Sequence, residues 1–142
     1  MTHQLTSNYP AGAFKLLGLN LQESIFRSKS EEEEELAITF NVNINYSTAG
    51  NVIRVLMRVT LSTSKPDIFH LEVAMQGKFE RQNESVTMPV EEFSNIIAAS
   101  IIFPYIRDHV SSLTAKSGIN PIMLPLINFI QLYDESKKQQ EQ

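Results

Sequence analysis

The chain has 142 residues, of which 42% are hydrophobic and 20% charged, with a net charge of −4 and no cysteine. That length is enough for one domain with its own core and leaves no room for a second. The missing cysteine excludes disulfides, thiolate catalysis and thiolate metal sites, and an acidic balance without a basic stripe argues against nucleic acid as a partner.

No run reaches the length of a membrane span, so no membrane insertion is expected. Met1–Gln4 lacks the basic flank and apolar core of a signal peptide, which predicts a cytoplasmic protein. Residues 1–12, with Asn8, Pro10 and Gly12, read as a flexible N-terminal arm. From Phe14, Leu17, Leu19 and Leu21 alternate with Gly18, Asn20 and Gln22, the period of a first strand. Between Glu23 and Glu35 the alternation stops, and the segment ends in five consecutive glutamates from Glu31, which predicts a solvated crossover loop. Phe26 is an isolated aromatic in that polar stretch. It either pins the loop to the core or belongs to a binding surface.

The clearest periodicity follows. Leu36, Ile38, Phe40, Val42, Ile44 and Tyr46 alternate with polar or small residues, predicting a second strand over residues 36–47 with one apolar face. Thr48 to Asn51 make a hairpin turn, and Ile53, Val55, Met57, Val59 and Leu61 form the apolar face of a third strand. Ser64 to Asp67 supply another turn, in which Pro66 cannot donate to a ladder. Phe69, Leu71, Val73 and Met75 then mark a fourth strand that ends near Gly77 and Phe79. Four strands with short turns predict an antiparallel meander, apolar on one side.

An apolar sheet face must be covered, and the C-terminal half can do it. Pro89, Glu91 and Glu92 are a favourable helix start. Ile96, Ala99, Phe103, Ile106, Val110 and Leu113 fall on one helical stripe, while Ile97, Ile101, Ile102 and Tyr105 lie off it. A helix apolar well beyond one stripe buries two faces, so those four residues are expected at an oligomer interface. Pro104 crowds the carbonyl of Ser100 and predicts a kink. Gly118 ends the helix, Pro121 and Pro125 hold an extended connection, and a second helix is expected to open near Pro125 with Leu126, Phe129, Ile130 and Tyr133 as its stripe. Residues 137–142 read as a flexible polar tail.

The fold class is therefore α+β: a single domain over residues 1–142, with a four-stranded antiparallel sheet and a long kinked helix and a short C-terminal helix packed on one face. Chemistry-bearing patterns are missing. His3, His70 and His109 are scattered, so no metal site is expected. Asp108, His109 and Ser111 have triad residue types but point in different directions on a helix. The five glycines stand singly, which leaves no phosphate loop. Glu72 interrupts an apolar run, but alternation puts it on the polar sheet face. No catalytic residue, cofactor or enzymatic activity is expected.

The run Ile101-Ile102-Phe103-Pro104-Tyr105-Ile106-Arg107, then Leu113-Thr114, Gly118, Pro121 and Leu124-Pro125-Leu126-Ile127-Asn128-Phe129, closely resembles the SecB family of export chaperones. Val55 to Thr60 and Phe69 to Val73 with Gly77 and Phe79 resemble it as well, so the likeness covers residues 36–133. The resemblance implies an ATP-independent holdase that keeps unfolded or preprotein polypeptides competent for export, dimerising by sheet extension and pairing dimers through the long helix into a homotetramer. It also implies a client groove of Phe26, Leu36, Ile38, Phe40, Ile130 and Tyr133, for each of which core packing is the competing role.

Family members that deliver clients to the SecA motor use acidic residues on the polar sheet face. Glu72 matches one, but the first-strand positions are Gly18 and Gln22, and His70 stands where the family has a leucine. Motor docking thus rests on Glu72. The alternative reading is a dedicated binding adaptor, or a chaperone for the antitoxin of a toxin-antitoxin pair. A small-molecule enzyme on a helix-covered sheet is a third, for which the sequence shows no paired acid and base.

Overall fold

A computed structural model of the chain describes residues 13–29, 37–82 and 88–140. The alternating segments form four antiparallel strands, β1 (Phe14–Ser28), β2 (Thr39–Ala49), β3 (Val52–Ser62) and β4 (Phe69–Arg81). Their order across the sheet is β1-β4-β3-β2. The expected meander therefore holds for β2, β3 and β4, whereas β1 pairs with β4 and the chain crosses from one edge to the other before β2. Alternation carries no information about which strand lies beside which.

The β2–β3 hairpin turns on Gly50 and Asn51, with Gly50 at φ +61°, a left-handed conformation that glycine adopts without steric cost. β1 is longer than its alternation indicates. Its register slips twice against β4, between Leu16 and Gly18 and between Leu21 and Glu23. Each slip is a β-bulge that breaks the period of two, which is why the strand's second half reads as irregular in sequence.

Phe26 is therefore corrected. It lies in β1 opposite Leu71, not in a crossover loop, with its ring edge-on to Phe69 at 6.0 Å. The acidic run and Leu36 lie outside the described residues, as does the arm over residues 1–12.

One sheet face is packed. On β3, Ile53, Val55, Met57, Val59 and Leu61 are buried, and on β4 Phe69, Leu71, Val73 and Phe79 join them. A continuous helix over residues 90–115 covers this face. It opens as Val90–Glu92 after an extended Pro89, passes through a π-helical stretch at Phe93–Ala98, and continues as Ala99–Ala115. The wide π turn lets Phe93, Ser94, Ala98 and Ala99 all be buried, with Phe93 stacked on Phe14 at 3.9 Å and edge-on to Phe79 at 5.3 Å.

Ile102 is 0% exposed. A Cβ built on Gly77 would lie 3.0 Å from its Cδ1, so the missing side chain at Gly77 is what admits the helix so close to β4. Ile102 is thereby corrected from oligomer interface to core.

Gly118, at φ +84°, follows the helix, and residues 119–128 run back along it without regular structure. The C-terminal helix spans Phe129–Gln140. It opens four residues later than Pro125 and continues through residues 137–140, which the sequence reading assigned to a tail. Within that extension Lys137 lies over the Tyr133 ring at 4.8 Å, and hydrogen bonding to Tyr133 keeps its ammonium more basic than usual.

Candidate functional site

Two side chains of the long helix hold the connection between the helices. Arg107 Nε donates to the carbonyl oxygen of Leu124 at 2.9 Å. The buried Thr114 hydroxyl donates to Val110 O at 2.9 Å and accepts from the amide of Ile122 at 2.8 Å. These anchors seat Leu124 in the core, and Phe129 follows it with its ring edge-on to Phe103 at 5.6 Å. Prolines at 121 and 125 keep the intervening residues extended.

The consequence is an apolar row turned outward. Leu126 is 83% exposed, Met123 63% and Ile130 58%, all along the connection and first turn of the C-terminal helix. Leu126 belongs to the connection rather than to a helical stripe. Neither Met123 nor Leu126 was singled out as a site residue in sequence, although two prolines four residues apart signal an extended segment that cannot bury every apolar side chain.

Of the other expected groove residues, Ile38 is exposed just ahead of β2, and Phe40 is half-buried against the core. Tyr133 of the C-terminal helix is largely buried, 8% exposed, but still lines the cleft beside β2. Phe26 and Phe40 share one cross-strand row without touching, since Phe26 faces Leu71, Leu71 faces Leu61, and Leu61 faces Phe40. They occupy the two edges of the sheet's packed face at the same end.

Two clefts border the strands. Beside β2, Val42, Asn43, Ile44, Asn95, Leu132, Tyr133 and Ser136 line about 240 Å³. At the start of β1, Ala13, Phe14, Leu16, Phe79, Met88, Phe93, Ile97 and Ile101 line an apolar cleft of about 420 Å³. Ile97 and Tyr105 are exposed on the long helix, and Leu16, Leu17 and Leu21 are exposed on β1.

The outer sheet face carries charge. Arg58 Nη1 donates to Glu72 Oε1 at 2.8 Å and to Glu23 Oε2 at 3.2 Å, and the two carboxylates hold the guanidinium more basic than usual, Glu23 contributing most. His70 Nε2 lies 3.7 Å from Glu72 Oε2. Glu72 is thus an engaged carboxylate, only a quarter exposed. His109 is not a bare surface residue either, because its Nε2 lies 2.9 Å from Ser24 Oγ and ties the helix to the β1 edge. No cluster of ligands suited to a metal occurs among the described residues, and none of their helices is long and apolar enough to cross a membrane.

The SecB family model, described as preprotein translocase subunit SecB, matches residues 18–140. The chain belongs to the SecB family. Among its relatives, the protein-export protein SecB of Dechloromonas aromatica is 30% identical over 115 residues, covering 77% of this chain and 73% of that protein. That of Chromobacterium violaceum is 35% identical over 91 residues, covering 61% and 58%. A SecB-like chaperone of Mycobacterium tuberculosis, solved with a ChAD peptide from an antitoxin, superposes with a TM-score of 0.66 at 14% identity over 81% of this chain and 91% of that one. That likeness shows a SecB-like fold, a four-stranded antiparallel sheet with a long helix and a short C-terminal helix.

Proposed function

We propose that this SecB-family chain is an ATP-independent holdase that binds unfolded polypeptides and serves protein export. The observation that carries the reading is the exposed apolar set Met123, Leu126 and Ile130, on and next to a connection held in place by Arg107 and Thr114. A non-native chain brings apolar side chains and unpaired backbone, and an apolar surface beside a strand edge meets both needs without reading sequence. Each such site is weak, since about 25 cal/mol is gained per Å² of apolar area removed from water. Several sites on one assembly raise the affinity by avidity.

The assembly proposed here is a dimer of dimers in the cytoplasm, with Ile97, Ile101 and Tyr105 at its interface. The names of the curated relatives support the export role. A second reading, a chaperone dedicated to one partner such as an antitoxin, is favoured by the engagement of Glu72 with Arg58 and by Gly18 and Gln22 in the first strand, which weaken the case for docking to SecA.

The test is light scattering of an aggregating client mixed with the purified chain, without nucleotide. The chain should suppress aggregation, and the Leu126→Ser/Ile130→Ser variant should lose at least half of that effect while keeping its circular dichroism. Suppression unchanged in the folded variant removes this surface. No suppression of any generic client, together with stoichiometric capture of one partner, selects the second reading.

A further inference from the structure

We infer that the outer face of the sheet, at the end where β1 and β3 begin, docks an acidic segment of a partner protein through Arg54 and Lys78. This face is turned away from the helices and shares no residue with the surface assigned to unfolded clients.

Arg54 and Lys78 are directly opposed in the β3–β4 pairing, and both are exposed. Like charges set opposite each other on one face work against strand pairing, so the fold gains nothing from the arrangement. Gly18 beside Lys78 and Ser47 beside Arg54 complete the cross-strand row, and neither carries charge. A Cβ added at Gly18 would meet nothing within 4 Å, which leaves the space beside Lys78 open.

The other arginines of this face are matched by acids. Arg58, about 13 Å further along β3, is held by Glu23 and Glu72, and Arg27 lies 3.8 Å from Asp67. Among the described residues, neither Arg54 nor Lys78 pairs with a carboxylate. In the next row outward Lys15 stands opposite Glu80, and Glu80 accepts a hydrogen bond from Gln82 at 3.2 Å. This end of the face thus sets Lys15, Arg54 and Lys78 against Glu80 alone, on a chain whose net charge is −4.

The occupant follows from that sign. The Arg54 guanidinium can hold one carboxylate through two parallel N–H bonds, and the Lys78 ammonium can hold a second. Acidic side chains on alternate residues of an extended segment are about 7 Å apart, within reach of two long cations that face each other across a strand pair. In the adjoining row Asn20, Gln76 and Asn45 are uncharged amides, so no acid there repels a longer segment. A long polyanion such as a nucleic acid meets the negative charge of the whole chain, whereas a short acidic segment meets the local positive field.

The probe is a fluorescein-labelled octapeptide of alternating glutamate and serine, set against its glutamine–serine counterpart and a single-stranded RNA octamer at low ionic strength. Anisotropy should show that the glutamate peptide binds, that the glutamine peptide binds at least about tenfold more weakly, and that salt weakens the first. Lys78→Glu should lower affinity for the glutamate peptide at least about tenfold while raising the melting temperature, because it turns an opposed like pair into an opposite one. Arg54→Gln should lose binding as well. The control Arg27→Gln, at the other end of the face, and Leu126→Ser/Ile130→Ser, on the client surface, should both bind the peptide as the unaltered chain does. No binding of the glutamate peptide, equal binding of the two peptides, or binding unchanged in the folded Lys78→Glu variant overturns the inference. An equal loss in the Arg27→Gln control reads net charge rather than a site and overturns it too, as does a lower melting temperature for Lys78→Glu. RNA that binds more tightly than the peptide reassigns the patch to nucleic acid.

Discussion

Arg107 and Leu124, 17 positions apart, are joined by a bond from Nε to the carbonyl oxygen at 2.9 Å. Through it the long helix dictates where the second helix begins. Arg107→Ala leaves that carbonyl without its charged donor and should cost about 1–3 kcal/mol. Hydrogen exchange should rise first over residues 119–140, with the sheet amides still protected. A uniform loss of protection across the sheet would contradict this anchoring role.

Gly77 should not accept a side chain. An added Cβ would lie 2.7 Å from Phe79 Cε2 and 3.0 Å from Ile102 Cδ1. Gly77→Ala should destabilise by about 1–3 kcal/mol, and adding Ile102→Val should restore part of it, because the two changes share one contact. Strict additivity in denaturant unfolding would show that the helix does not bear on Gly77.

On the outer face, Arg58→Met leaves Glu23 and Glu72 facing each other without their shared cation. All three side chains are a quarter or more exposed, so the loss should be only about 1 kcal/mol and should shrink with added salt. Because the Arg58 pKa is raised on folding, its contribution is fully present below the usual arginine range and is lost only at more alkaline pH. The cost of the substitution should accordingly be flat from neutral pH up to pH 10, and a falling cost over that range would mean that another group titrates in the cluster.

The helix face left open should govern assembly. Ile97→Asp/Tyr105→Asp should lower the native mass while the chain stays folded. Ile102→Ala should instead cost about 2–5 kcal/mol of stability through the cavity it leaves, with no change in the mass of the folded fraction. Light scattering and thermal unfolding of the two variants together separate interface from core. A mass unchanged in the double aspartate variant would place the interface elsewhere.

Much of this was legible residue by residue. Phe40 to Tyr46 alternate because a half-covered strand requires it, Pro89 with Glu91 and Glu92 starts a helix for local electrostatic and steric reasons, and Gly50 and Gly118 stand where φ is positive. Ile97 and Tyr105 were readable as an uncovered face because a helical stripe has a fixed width. The β1 bulges hid the second half of that strand, so Phe26 read as a loop residue. The start of the C-terminal helix was misjudged because Pro125 is compatible with both a first helical turn and an extended approach to one.

The sequence by itself determined the family of solutions: strand and helix periods, their breaks, and the amount of apolar surface to be covered. Those are local properties, written in the spacing of neighbouring residues. Only the tertiary structure decided that β1 lies beside β4, that Ile102 and Tyr133 are buried while Leu126 is displayed, and that Arg107 reaches Leu124. Each of these depends on contacts between residues distant in the chain, and which apolar side chains win the core is settled by how the elements pack, not by hydrophobicity alone.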